Sequence, residues 1–447
     1  KRFEEKVRQM GGSGDPGVSD RMRRVLRRLP SKVIAKNLTP EVREFEGIAR
    51  EALAQTRAFF LALRSGGSFP PEGERRRYDM RDCTGELLPQ ETDLFLRAVE
   101  GLIEKGRELL GRLQGELPLT DPYQELHSVL EACGGMLDEL EEMIKTLQEL
   151  ISPRGHDRVH VLESSRTQGA LLSAVPLDTG PLLREHLLLP HGSVTLTSAT
   201  MAAGDDFSYF ARKLGLERGE PEILKLESPF KMREQFLLLL PTYAVDPRDE
   251  GYEAFLSGTI AQLAAAVGGK MLVLFTSYKT LQKVYAELAE SAELSGVEIL
   301  AQSREAPRSK LISQFRKAQR SVLLGTSAFW YGVDFPGREL ELLVVTRLPF
   351  PVPTDPRVQA ISEELEQEGR SSFQDYALPE AVLRLRQGVG RLIRRRDDRG
   401  VCVILDPRIA RARYGEIFCR ALPSPPVLVE APGDLIKRTR AWLAGRA

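Results

Sequence analysis

From about Arg158 onward the chain keeps returning to one pattern, a short apolar run rich in Val, Ile and Leu followed by an amphipathic stretch. The runs are Val159 to Leu162, Ala170 to Ala174, Ser193 to Leu196, Phe236 to Leu240, Met271 to Phe275, Ser321 to Leu324, Glu341 to Val345 and Val401 to Leu405. Runs that are apolar without alternation suit strands of a parallel sheet, because helices cover both faces and neither can be polar. The expected class is therefore α/β and layered, with ligands gathering at the carboxyl ends of the strands. The first third reads differently. Apolar residues there recur three and four apart, as in Val42, Phe45, Ile48, Ala49 and Ala52 and again through Leu126 to Ile151, which predicts packed helices. Two breaks of linker composition, GGSGDPG at 11–17 and SGGSFPPEG at 65–73, punctuate them. A third composition break, GLERGEP at 215–221, marks an expected domain boundary.

At 447 residues the chain exceeds one ordinary core, and roughly 150 residues per domain suggests about three units. Lys plus Arg and Asp plus Glu balance at 63 each, so attraction to a polyanion must come from a local patch. Cys83, Cys133, Cys402 and Cys419 are scattered without a close pair, which indicates neither a zinc spacing nor a disulfide framework and fits a reducing, cytoplasmic setting. No apolar run approaches the roughly 18 residues of a membrane span, and Lys1-Arg2-Phe3-Glu4-Glu5 does not read as a signal peptide. Position 1 is not Met, and the chain is expected to be cut from something longer.

The residues just after the apolar runs are polar in a patterned way: Thr197-Ser198-Ala199-Thr200, Thr276-Ser277-Tyr278, and Gly325-Thr326-Ser327 followed by Gly332-Val333-Asp334. Hydroxyls and backbone amides at strand ends suit phosphate oxygens. For any one of these segments alone, ordinary helix capping by Ser and Thr is the better explanation. The densest signal is LRLRQGVGRLIRRR, 383–396. Gln387, Gly390, Arg391, Arg394 and Arg395 are predicted to be helical, which would place Gln387, Arg391 and Arg394 on one face. Arginine forks suit phosphate oxygens, whereas a solvated basic face with Asp397 and Asp398 as counter-charges is the plain alternative. His156 and His160, four apart, read as a surface pair rather than a metal site. Arg21, Arg23, Arg24, Arg27 and Arg28 read as a solvated helix face, and Trp330 as packing against the sheet rather than stacking on a base.

Taken together, GTSAFWYGVDFPG (325–337), LVVTRLPFPVPTDP (343–356) and QGVGRLIRR (387–395) resemble motifs V and VI of superfamily 2 helicases of the Rad3/XPD type, in particular the bacterial DinG branch. LTSATM (196–201) is similar to motif III of that branch, LVLFTSY (272–278) to motif IV, and VPLDTGPLLRE (175–185) to the lead-in to motif III. Motifs in this order are far more specific than any one of them.

The resemblance implies a mainly helical arch insertion over 1–157, the C-terminal part of a first RecA-like domain over 158–218 and a second RecA-like domain over 219–447. It implies Arg391 and Arg394 as catalytic residues reaching the ATP phosphates, with Arg394 the better arginine finger, and Gln387, Gly390, Gly332 and Asp334 as further nucleotide-binding residues. Ser198, Thr200, Thr276, Ser277 and Thr326 become hydroxyls on the backbone of single-stranded DNA. Two departures stand out. Tyr331 occupies the place of a family glutamate, and neither a G-x-x-x-x-G-K-[ST] loop nor an Asp-Glu-Ala-His box occurs in the chain. Phe3-Glu4-Glu5 resembles residues that follow that box, so the chain is expected to begin just after it. ATP and Mg²⁺ would then be held mainly from upstream, as would any iron–sulfur cluster, which this chain's cysteines would not ligate. The implied parent is a monomeric ATP-dependent 5′ to 3′ DNA helicase of repair or replication, without membrane attachment. A non-catalytic DNA-binding or regulatory paralogue, and a protein with an upstream exonuclease domain, are the alternatives.

Overall fold

The structure, a computed structural model, describes residues 2–11, 17–29, 31–65, 70, 75–77, 89–118, 123–151, 158–165, 169–198, 200–202, 206–217, 219–267, 270–303, 307–330, 335 and 339–445. It divides into two compact units, Lys1–Leu177 with Thr354–Ala360, and Asp178–Pro353 with Ile361–Ala447.

In the first unit, α1 (Arg2–Gly11), α2 (Val18–Arg28), α3 (Lys32–Ser65), α4 (Pro89–Gly115) and α5 (Gln124–Ile151) share one core. The helical spacing does what it predicts: Val42, Phe45, Ala49 and Ala52 are buried along one stripe of α3. Phe59 of α3 stacks on Phe95 of α4, ring centroids 4.7 Å apart. The same unit holds β1 (Arg75–Arg77), β2 (Arg158–Ser165) and β3 (Gly169–Pro176) as a small antiparallel sheet in that order. The expectation that the runs at 159 and 170 join a parallel sheet is thus corrected. Only residues 166–168 separate β2 from β3, far too short for a crossover that needs a dozen or more residues, so the pair closes as a hairpin.

The second unit is built on seven strands in the order β10-β4-β9-β8-β5-β7-β6, every neighbouring pair parallel. They are β4 (Phe236–Pro241), β5 (Lys270–Leu274), β6 (Glu298–Ala301), β7 (Ser321–Gly325), β8 (Leu342–Val345), β9 (Gly400–Ile404) and β10 (Pro426–Val429). Side chains alternate between two cores. Leu272, Leu274, Leu323, Leu343, Val345, Cys402 and Ile404 fill one face, and Met271, Val273, Val322, Leu324, Leu342, Val344, Val401 and Val403 fill the other. Each such side chain contributes on the order of 1.5–3 kcal/mol when fully buried. Both faces need apolar residues, which is why the runs read as unbroken.

The two edge strands, β6 and β10, escape the run pattern because they are short and half exposed; Pro426 opens β10, a position an edge strand tolerates. Ser193 to Leu196, expected to be a strand, is irregular and exposed. A strand needs a neighbour to take its amides and carbonyls, and no described segment of this chain pairs with it. Further along the chain, Gly215 adopts φ +72° with its backbone against Gly180, where an added Cβ would lie 2.4 Å from the Gly180 carbonyl oxygen. The GLERGEP break is therefore a tight backbone crossing, and Arg184 fastens it with hydrogen bonds to the Gly215 carbonyl at 3.0 Å and to Glu220 at 2.9 Å.

Candidate nucleotide and nucleic-acid site at the carboxyl edge of the sheet

Because all seven strands run the same way, the segments after β5, β6, β7, β8 and β9 emerge along one edge. The arginine segment returns to that unit through α9 (Leu378–Val389), numbered after α6 (Ser208–Lys213), α7 (Tyr252–Ala266) and α8 (Tyr278–Ala289). Helix α9 stops at Val389 with Gly390 as its C-cap. Gln387 is thus helical, while Arg391, Arg394 and Arg395 lie in the loop that leads to β9, and the expectation of one shared helical face does not hold. The cause is Asp398. Its carboxylate, 6% exposed, accepts the backbone N–H of Arg394 and of Arg395 at 2.7 Å each, and these bonds replace a further turn of helix. Gln235 completes the frame by donating to the carbonyls of Arg395 at 3.0 Å and Asp398 at 2.9 Å. Asp398 holds the loop's backbone, a role different from surface counter-charge.

The two candidate catalytic arginines separate. Arg391 is 5% exposed and donates to the carbonyl of Trp330, whose indole N–H in turn donates to the carbonyl of Phe275 at 3.1 Å. Segments after β5, after β7 and after α9 are joined by that chain of bonds. Trp330 is 2% exposed and packs on Gly388, where a Cβ would sit 2.8 Å from the indole ring. Glycine in the QGVGR run is thereby explained by the ring. Arg394 is exposed.

Gln387 donates to the Thr200 hydroxyl at 3.4 Å, and Thr200 lies 3.3 Å from the Ser198 hydroxyl. Arg386 donates to the carbonyl of Ala202 at 2.7 Å. Two sequence-identified segments, 196–201 and 387–395, therefore meet through side chains. Ser277 caps α8, accepting the Thr280 N–H at 3.3 Å, and Thr276 beside it is half-buried. Thr326 donates both its backbone N–H, at 2.8 Å, and its hydroxyl, at 2.9 Å, to the side-chain oxygen of Gln302. Gly332, Asp334 and Tyr331 lie outside the described residues. Gln235, Gln302, Asp398 and Asp406 were not legible as site residues. Asp406 accepts the Leu348 N–H at 2.8 Å and pairs with Arg408, so it braces the loop after β8. Gln302 follows the edge strand that the apolar runs miss.

Helix α6 docks on α9 through a carboxylate. Glu380 accepts from the Tyr209 hydroxyl at 2.6 Å and pairs with Lys213. Burial alone would push the Glu380 carboxyl up, yet the Lys213 ammonium and the two donated hydrogen bonds outweigh it and hold the group below its usual value. A depressed carboxylate contributes stability that is present above its unfolded value, roughly 4.3, and is lost as pH falls through the folded value. Amides of α6 are expected to lose protection relative to those of α7 as pH falls below the ordinary glutamate value. Hydrogen exchange corrected for intrinsic rates checks this, and equal loss in both helices would count against the Glu380 dock.

A depression lined by Gly296, Val297, Glu298, Ala318, Gln319 and Arg320 lies at the amino ends of β6 and β7, away from the edge where these segments converge.

Residues 260–425 match the family model described as a helicase C-terminal domain. A Bacillus subtilis (strain 168) protein named 3′-5′ exonuclease DinG is 35% identical over 366 residues, covering 80% of this chain and 38% of that protein. The ATP-dependent DNA helicase YoaA of Escherichia coli (strain K12) is 35% identical over 361 residues, covering 78% of this chain and 55% of that protein. This chain carries a helicase C-terminal domain and is similar to the DinG and YoaA proteins. A solved XPD helicase structure shares the fold, with TM-score 0.51 at 14% identity over 92% of this chain and 64% of that one. The chain spans 38% and 55% of the length of these two curated relatives. Within it no described helix is long and apolar enough to cross a membrane.

Proposed function

We propose that this chain is the second half of a motor that couples ATP hydrolysis to movement along single-stranded DNA in the 5′ to 3′ direction, in a cytoplasmic, monomeric helicase of DNA repair or replication. The observation that carries the reading is the loop after α9: Asp398 fixes the backbone of Arg394 while its side chain stands exposed at the edge where the other motif segments emerge. A permanently charged planar fork held there suits the γ-phosphate of a nucleotide presented from outside this chain. Gln387, bonded to Thr200 with Ser198 next to it, would serve as the polar link between nucleotide and DNA track, and Thr276, Ser277, Gly390, Gly332 and Asp334 keep the roles the resemblance implies. Supporting it, Val194 and Leu196 of the segment that lacks a strand partner are 36% and 40% exposed, which suits a sheet contributed by other residues.

In this reading ATP and Mg²⁺ are held from upstream. Two of the described thiols are poorly suited to an iron–sulfur cluster: Cys133 is buried in the helical core, where burial pushes it up to about 11, and Cys402 is buried within β9. The 447-residue chain has no phosphate-gripping loop, so the purified chain is expected to release no phosphate from ATP above background, with or without poly(dT). DNA-stimulated turnover by this chain would overturn the division of labour. A second reading, an additional upstream nuclease, is favoured by the name of the Bacillus relative. Sequencing upstream in frame separates the two, since a nuclease domain or its absence is read directly.

A further inference from the structure

The structure assigns the phosphate-facing donor after β6 and β7 to the side-chain amide of Gln302, not to the hydroxyl of Thr326. The assignment rests on the reading that this edge binds single-stranded DNA.

The argument is one of donors and acceptors. The backbone N–H of Thr326 can only donate, and it points at the Gln302 side chain from 2.8 Å. The atom it meets must be the carbonyl oxygen Oε1, because the opposite amide orientation would set N–H against N–H. Oε1 cannot donate either, so the Thr326 hydroxyl, 2.9 Å from the same oxygen, must give its proton to it. What the hydroxyl has left is lone pairs, which repel a phosphate oxygen. The Gln302 amide nitrogen Nε2 is turned the other way with both protons, and no atom of the described residues accepts from it. Its backbone is fixed on both sides: Gln302 N–H donates to the Leu324 carbonyl at 2.9 Å, and Gln282 of α8 donates to the Gln302 carbonyl at 3.3 Å. An oriented neutral N–H₂ group reads a phosphodiester without regard to base, as translocation along DNA requires. Thr326 is then a positioning residue that aims the amide.

Binding of a fluorescein-labelled dT oligonucleotide to the full chain, followed by anisotropy, tests this with three variants. Thr326→Val keeps the backbone N–H and is expected to bind within about twofold of wild type. Gln302→Glu keeps an acceptor for both Thr326 donors but replaces the amide with a negative oxygen, and is expected to bind at least about tenfold more weakly. Gln302→Lys loses the acceptor yet restores a donor, and is expected to bind within about threefold. Equal losses in Gln302→Glu and Gln302→Lys, with matched thermal melts, would mean that Gln302 serves only to brace Thr326 and would overturn the assignment. So would a loss in Thr326→Val as large as in Gln302→Glu. If the wild-type chain itself fails to bind, the DNA reading of this edge falls, and the assignment with it.

Discussion

Replacing Arg394 with alanine, in a protein that carries this domain behind an intact phosphate-gripping half, is expected to cut ATP turnover by about 10³-fold and leave affinity for single-stranded DNA within about twofold. The expectation rests on two features that coincide at this arginine and at Arg395, and of the two it is Arg394 that the motif resemblance puts forward. Its side chain is exposed, and its backbone is clamped by Asp398 at 2.7 Å, so the fork meets a phosphate from a fixed root and only side-chain rotamer entropy is lost. Phosphate release at saturating ATP and DNA measures the first quantity and anisotropy the second. Turnover that survives the substitution sinks the assignment. Arg391 makes the contrast. At 5% exposed, and donating to the Trp330 carbonyl, it holds three segments in register, so its alanine variant should lower thermal stability by about 1.5–3 kcal/mol as well as activity. Loss of turnover with an unchanged melting temperature belongs to Arg394, and loss of both to Arg391.

What could be read from the sequence followed from whether a signal was local. The strands β4, β5, β7, β8 and β9 were legible because burial on both faces demands uninterrupted apolar residues, and the helices of the first unit because one stripe of α3 is buried. Ser193 to Leu196 carries the same local signal as β5, yet it forms no strand, because pairing is a property of two segments and its neighbour is missing from the described residues. The end of α9 is a similar case. Three-to-four spacing continues past Val389 through Arg391 and Arg394, and nothing nearby in the sequence says that the carboxylate of Asp398 will take the amides of Arg394 and Arg395. Gln302 was hidden for another reason. Its strand is a short edge whose exposed residues blur the apolar run, and its chemistry becomes visible only when Thr326 aims a donor at it. Trp330 was legible as a packing residue, but not as the bridge whose N–H and carbonyl join Phe275 to Arg391.

Asp398→Ala should be the most destabilising polar substitution at this edge. It removes an acceptor from two backbone N–H groups in a site where the carboxylate is 6% exposed, and hydrogen bonds to a charged acceptor are worth about 1.5–3 kcal/mol each. Because the two bonds share one carboxylate and water can reach part of the loop, about 3 kcal/mol is expected for the pair, which lowers the melting temperature of a unit this size by roughly 6–12 °C. Asp398→Asn tells apart two ways of stabilising the loop. An amide oxygen still accepts both N–H groups, so if Asp398 acts as a backbone frame the asparagine variant should lose only about 1 kcal/mol and keep most of the turnover. If Asp398 instead neutralises the surrounding guanidinium groups, asparagine and alanine should be equally harmful and both effects should fade at high salt. Calorimetry of the two variants at low and high salt decides between them. The frame reading further predicts that Asp398→Ala and Arg394→Ala are not additive in turnover, since an arginine whose backbone is released no longer meets the phosphate at a fixed distance.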